Sequence, residues 1–218
     1  MRKTEKFSFD TSSYIFREHI AKLFDVEDLS LIHQSWKSDY ELLDNPETDQ
    51  NTIYHKTFYE GFDEDSYFYS VYRNFIRQEV VPQIDPHAMF LYQTIPSFRT
   101  QLPNNLGVGA FHRDSEYSHS SKEINVYLPM TKVWDTNTIW AESERDKKDY
   151  KPMEAEYGEY YIWDGANLMH GNKVNNTERT RVSIDFRLIK VSDFEHSDKK
   201  SISNGTVMTV GGYWSVCL

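Results

Sequence analysis

The sequence predicts a mostly β domain of jelly-roll type behind an N-terminal helical layer, and three observations lead there. Apolar residues between 10 and 80 recur at helical spacing. From about Met89 the period shortens, and short runs rich in Val, Ile, Tyr, Phe and Trp follow one another. Those runs are separated by turn residues with no helical pattern between them, which favours an antiparallel sandwich or jelly roll over an alternating α/β fold. At 218 residues the chain reads as one domain with a sizeable core. Its expected parts are a helical 1–85, a jelly-roll core over 86–190 and a C-terminal extension over 191–218.

In the first part, Asp10-Thr11-Ser12-Ser13 can cap a helix running to about Phe24, with Tyr14, Ile15, Ile20, Leu23 and Phe24 as its apolar stripe. Ser38–Thr57 is polar, carries Pro46 and reads as a loop. A second helix is expected over Asp65–Val81, where Phe68, Tyr72, Phe75 and Ile76 recur. Candidate strands follow at Met89–Ile95, Gly107–His112, Ile124–Leu128, Asn137–Ala141, Tyr157–Trp163 and Arg181–Ile189. Pro96, Pro103-Asn104-Asn105, Pro129, Gly158, Gly165 and Asn175-Asn176-Thr177 punctuate them.

Composition narrows the classes of function. Aromatic residues make up 15% of the chain, too many for a disordered one. The apolar runs are far shorter than the ~20 residues that span a bilayer, and no apolar segment follows the basic start Met1-Arg2-Lys3. A lone cysteine, Cys217, leaves no internal disulfide and fits a reducing, cytoplasmic setting. The formal net charge of −10 disfavours nucleic acid and anionic membrane as partners. It leaves room for a small ligand bound by a monomer or homodimer, and one buried arginine can hold an anionic group locally.

Chemistry concentrates in three places. Phe111-His112-Arg113-Asp114 puts an imidazole and a carboxylate two residues apart, and in a strand both would project to one face. They can supply two ligands of a 2-His-1-carboxylate site, which suits Fe(II) and leaves coordination positions open. Alone the pair is weak and reads as a structural or surface feature. His170, separated from Asp114 by 55 residues, lies after a Gly-containing turn, where a jelly roll can return a distant strand. By itself it reads as a satisfied buried histidine. Ten residues lie between His170 and Arg181, which opens Arg181-Val182-Ser183-Ile184-Asp185-Phe186-Arg187. Strict alternation sets Arg181, Ser183 and Asp185 on one face against Val182, Ile184 and Phe186 on the other. A buried arginine needs an anionic partner. Either Asp185 supplies it on a solvated strand, or a ligand carboxylate does, with Ser183 adding a hydrogen bond.

The combined pattern resembles the Fe(II)/2-oxoglutarate-dependent dioxygenases of the double-stranded β-helix, or cupin-like, fold. Phe98–Pro103, Phe111–His119, Asn137–Ser143 and Arg179–Arg187 are similar to the phytanoyl-CoA dioxygenase-like clan. They look closest there to its streptomycin-biosynthesis and carbohydrate-cluster oxygenase groups. The resemblance covers about residues 90–190. It implies His112, Asp114 and His170 as iron ligands, with Arg181 and Ser183 on the distal carboxylate of 2-oxoglutarate. It also implies O2 as co-substrate and ascorbate as an optional reductant. Asp114 stands where related halogenases carry a small residue, which disfavours halogenation. Arg179 shares the parity of Arg181 and is the rival for the cosubstrate. Asn125, Asn137, Arg99 and His119 are candidate pocket or substrate residues, whereas Trp140 and Trp163 read as core.

The function expected on this basis is hydroxylation of a polar small molecule, such as a sugar, aminocyclitol or other natural-product intermediate, with release of succinate and CO2. A non-catalytic jelly-roll module binding metal or carbohydrate is the alternative from another class. A desaturase or epimerase variant of the same chemistry is the alternative within it.

Overall fold

The computed structural model describes residues 2–36, 52–63, 66–107, 110–117, 119–201 and 205–217. Two sheets form the frame. The larger orders its strands β1 (Glu5–Ser8), β7 (Glu159–Trp163), β4 (Ile124–Pro129), β9 (Arg181–Lys190), β2 (Phe90–Gln93) and β10 (Trp214–Val216). β3 (Ser97–Gln101) also pairs with β9, and these strands all pair antiparallel. The smaller sheet orders β6 (Lys151–Pro152), β5 (Trp140–Ala141) and β8 (His170–Gly171). The fold is thus mostly β, of the jelly-roll, double-stranded β-helix class.

Strand β9 organises the molecule because its ten residues alternate between two environments. Val182, Ile184, Phe186 and Leu188 point into the main apolar core. Arg181, Ser183, Asp185 and Arg187 point the other way and line a cavity. A one-residue slip would exchange the two sets and bury four polar side chains in the apolar layer. The flanking strands fix the register, with Arg99 opposite Ser183 on β3 and Asn125 opposite Arg187 on β4.

Helical segments cover the apolar face of the larger sheet. They comprise α1 (Phe16–Leu23), α2 (Ile32–Ser35), α3 (Ile53–Gly61), α4 (Tyr67–Phe75) and α5 (Val81–Ile84). Phe16, Ile20, Phe58, Phe68, Tyr72 and Phe75 join Phe98, Val126, Ile162 and the inward residues of β9 in one core. Phe58 stacks on Phe98 with ring centroids 4.3 Å apart, so α3 bears directly on β3. Burying each such ring contributes about 2–3 kcal/mol. Among the described residues no helix is long and apolar enough to cross a membrane.

Several expected elements differ. Asp10 does not cap α1: its carboxylate accepts from Ser12 and Ser13 in a separate turn, and α1 begins at Phe16. Ile53–Thr57, expected as loop, is the start of α3, because Tyr54, His55 and Phe58 supply a buried helical face. The rest of that loop, residues 38–51, lies outside the described residues, as do Asp65 and residues 108–109. The second helix starts at Tyr67 behind Ser66, whose hydroxyl accepts from Tyr69 N. It passes through a π turn at Ile76–Val80 and continues to Ile84, since Pro82 falls in the first turn of α5, where its missing N–H costs nothing. His112 belongs to a single bridge rather than a strand, and Asp114 opens a 3₁₀ turn, Asp114–Glu116. Asn137 lies in the 3₁₀ turn Asp135–Asn137, so that strand shrinks to Trp140–Ala141. Residues near both termini add the edge strands β1 and β10.

Candidate metal centre

His112 and His170 stand opposite each other because their backbones form a reciprocal bridge: His112 N donates to His170 O at 2.8 Å, and His170 N donates to His112 O at 2.9 Å. Their ring centroids lie 4.5 Å apart. Asp114 reaches the same point by a turn, with its N–H bonded to Gly165 O at 3.1 Å. Asp114 Oδ1 lies 3.4 Å from His112 Nε2 and 3.6 Å from His170 Nε2. One ligand atom from each of the three falls within 4.8 Å of the others, close enough for a single ion to touch all three.

The surroundings prepare each donor. His112 Nδ1 bonds Ala110 O at 2.7 Å and His170 Nδ1 bonds Leu168 O at 2.9 Å. Carbonyls only accept, so each Nδ1 carries the proton and each Nε2 presents a lone pair to the shared point. The other carboxylate oxygen, Asp114 Oδ2, accepts from Asn125 Nδ2 at 2.7 Å, Arg187 Nε at 2.9 Å and Arg187 Nη2 at 2.7 Å. That leaves Oδ1 as the oxygen directed at the histidines. Burial alone would raise the Asp114 carboxyl, but Arg187, His112 and His170 outweigh it and hold it well below the ordinary carboxylate range. Burial lowers His170, favouring the neutral, metal-binding imidazole. Burial alone would lower His112, but Asp114 and the Ala110 carbonyl raise it against that effect, so at that Nε2 a metal competes with a proton. Two imidazole nitrogens and one ionised carboxylate oxygen on one side of a cavity fit a facially coordinated divalent iron.

Gly165 permits this arrangement. A Cβ there would sit 2.7 Å from the Asn125 amide carbon and 2.9 Å from the Trp163 ring, so the turn can approach Asn125 only without a side chain.

The cavity has a volume of about 270 Å³ and lies between the two sheets. The structure brings to it His112, Asp114, His170, Arg181, Ser183, Asn125, Arg99 and His119. Arg181 is 3% exposed, and its Nη1 donates to Asn172 Oδ1 at 2.8 Å. Its Nε is buried without an acceptor, and it forms no ion pair among the described residues. Asp185 does not answer it, because Arg99 Nε takes that carboxylate at 3.0 Å. Arg179 points elsewhere: it is 45% exposed and lies 3.6 Å from Asp28. His119 is held by Glu123 at 2.8 Å and faces the Tyr213 ring.

Asn137 is not among the residues lining the cavity, contrary to its candidacy as a pocket residue. Its amide oxygen accepts from Trp134 N at 2.7 Å, and its nitrogen reaches Thr177 Oγ1 at 3.3 Å, so it braces a turn. Trp163, expected as core, is buried but also lines the cavity, packs edge-on against His170 at 4.8 Å and leaves its indole N–H unpartnered. Trp140 is half-buried beneath the Lys173 ammonium. Arg187, Asn172 and Tyr213 were not anticipated as site residues. Arg187 was signalled by the parity of β9, two positions beyond Asp185. Asn172 and Tyr213 arrive through turns and carry no periodic signal.

No protein-family model matches the chain. The streptomycin biosynthesis protein StrG of Streptomyces griseus is 36% identical over 214 residues, covering 98% of both chains. Among solved structures, EctD from S. alaskensis with 2-oxoglutarate and 5-hydroxyectoine is similar at a TM-score of 0.56 and 12% identity, over 88% of this chain and 73% of that one. Its apo form gives 0.52 at 11% identity, over 89% and 75%. The chain belongs to the family of the streptomycin biosynthesis protein StrG, built on the double-stranded β-helix fold of the Fe(II)/2-oxoglutarate-dependent oxygenases.

Proposed function

We propose that this protein is an Fe(II)- and 2-oxoglutarate-dependent oxygenase that hydroxylates a polar small molecule. The observation that carries the reading is Arg181. It is a buried guanidinium with an unpartnered N–H and no acidic partner among the described residues, in the same cavity as two histidines and an ionised aspartate. An arginine so placed awaits a carboxylate, and a site with three protein ligands leaves positions for one.

When bound, iron and 2-oxoglutarate supply the oxidising chemistry: O2 is consumed, 2-oxoglutarate becomes succinate and CO2, and the second oxygen atom goes to substrate. The chain's own residues set the geometry. His112, Asp114 and His170 would hold the metal through Nε2, Oδ1 and Nε2. Asn125 and Arg187 occupy Asp114 Oδ2, which leaves Oδ1 to face the histidines. Arg181 and Ser183 take the distal carboxylate of 2-oxoglutarate, with Asn172 fixing the guanidinium. Trp163 and Ile139 form part of the cavity wall.

A cavity of about 270 Å³ fits a small molecule better than a long acyl chain. The relative's part in streptomycin biosynthesis supports a natural-product intermediate. The test is succinate release from 2-oxoglutarate with Fe(II) and O2, stimulated by polyhydroxylated or amino-sugar ligands. Stimulation by a long-chain acyl-CoA alone would overturn the substrate class, and absence of any succinate would overturn the reaction.

A further inference from the structure

One wall of the cavity carries an ion pair that iron and 2-oxoglutarate do not use. Arg99 on β3 and Asp185 on β9 lie on paired strands, Ser97 facing Asp185 and Arg99 facing Ser183. Arg99 Nε donates to Asp185 Oδ1 at 3.0 Å, and the side chains are 21% and 20% exposed. Both line the cavity that holds His112, Asp114 and His170. A guanidinium has five N–H donors and a carboxylate two acceptor oxygens. Among the described residues this pair uses one of each on the other. Both side chains are about one-fifth exposed and line the cavity, so the pair presents polar surface to it. Arg187, two residues along, is by contrast occupied by Asp114 and Tyr213.

A donor and an acceptor fixed side by side discriminate by charge. A phosphate or carboxylate at this pair would gain Arg99 but be repelled by Asp185, and an ammonium the reverse, so either must displace the existing ion pair to bind. A hydroxyl pair meets neither penalty, because one hydroxyl can accept from the guanidinium while its neighbour donates to the carboxylate. The other unpartnered atoms repeat the theme. Trp163 Nε1 is a buried donor and Asn125 Oδ1 a buried acceptor, both uncharged and both on residues lining this cavity.

We propose that Arg99 and Asp185 are the substrate-reading pair and that they take a vicinal diol of an uncharged ring polyol. This rests on the oxygenase reading for the fate of the polyol, though not for its binding.

The experiment is calorimetric titration of the full chain with myo-inositol, with and without Fe(II) and 2-oxoglutarate, and with glucose 6-phosphate as the anionic arm. Asp185→Asn and Arg99→Gln should each weaken myo-inositol binding by about tenfold, the value of one hydrogen bond to a charged group. The double variant, which leaves neither charge unpaired, should bind it no better. Affinity for 2-oxoglutarate, taken in the same titrations, should stay within about threefold of wild type, showing an intact site. Unchanged myo-inositol binding in the variants, tighter binding of glucose 6-phosphate, or no binding of myo-inositol to the wild type would overturn the proposal. Failure of the wild type to bind 2-oxoglutarate would instead overturn the oxygenase reading, and the titrations without it would still decide the diol.

Discussion

Asp114 and Arg187 meet on a single oxygen: Nε and Nη2 of the guanidinium both donate to Asp114 Oδ2, at 2.9 and 2.7 Å, across 73 residues of sequence. The contact ties the metal-facing turn to the strand that carries Arg181. It also decides which carboxylate oxygen is left for a metal. Arg187→Leu should therefore lower Fe(II) affinity by about 10–100-fold, the usual cost of losing a partner that orients a ligand. Arg187→Lys, which keeps the charge but not the two-pronged contact, should fall between. Anaerobic Fe(II) titration of the two variants checks this, and wild-type affinity in Arg187→Leu would contradict it.

Arg181→Leu should weaken 2-oxoglutarate binding by about 2–5 kcal/mol, as when one partner of a buried charge pair is truncated. Iron affinity should largely survive, because Arg181 bonds Asn172 and none of the three ligands. Arg179→Leu should have a small effect, since that side chain is solvated beside Asp28. Equilibrium titration of 2-oxoglutarate with both variants decides, and the reverse ranking would move the cosubstrate to Arg179.

Gly165→Ala should damage the metal site without touching a ligand. Its Cβ would stand 2.7–2.8 Å from the Asn125 amide, and the amide can retreat only by giving up its bond to Asp114 Oδ2. Weaker iron binding with an unchanged circular dichroism spectrum is expected. An Asn125→Ala background should absorb the part of the effect that runs through the amide, leaving the 2.9 Å approach to the Trp163 ring, and equal losses in both backgrounds would refute the mechanism.

Acid stability should carry the signature of His55. This residue is 3% exposed and bonded to Thr52 Oγ1 at 2.8 Å. Burial, with Arg99 adding to it, lowers its pKa from 6.5 to about 3. Between those values the unfolded chain binds a proton that the folded chain refuses, so this contribution is complete above pH 6.5 and drains as pH falls toward 3. By pH 5 it should have removed about 2 kcal/mol. Urea unfolding at pH 7 and pH 5 should show His55→Gln losing correspondingly less than wild type, and identical losses would contradict the assignment.

The site was legible where chemistry follows periodicity. In Arg181-Val182-Ser183-Ile184-Asp185-Phe186-Arg187 a two-residue repeat separates a polar face from an apolar one, and the structure has that separation. His112, Asp114 and His170 could be selected by residue type, yet the reason they meet was not visible. The expected strand alternation is replaced by a two-histidine bridge and a 3₁₀ turn, both set by long-range pairing. Helix α3 was hidden because polar and aromatic residues mix at its start, and only packing against Phe98 shows which face is buried. Asn137 misled for a related reason: an amide in a short run of strand formers suggests a lining residue, but here it closes a turn. Tyr213 reaches the site because β10 pairs with β2, a long-range contact that no local pattern encodes.

The central claim is that one constellation holds both iron and 2-oxoglutarate, and anaerobic addition of the two to the protein tests it most directly. The wild type should develop the weak visible charge-transfer band of a 2-oxoglutarate–iron complex, saturating at one of each per chain. His170→Ala should abolish it through loss of metal. Arg181→Leu should require about 30-fold or more additional 2-oxoglutarate to reach it, the lower end of the energy expected for that arginine. A wild-type protein that binds Fe(II) yet shows no band at any 2-oxoglutarate concentration would contradict the account, as would a band that survives His170→Ala.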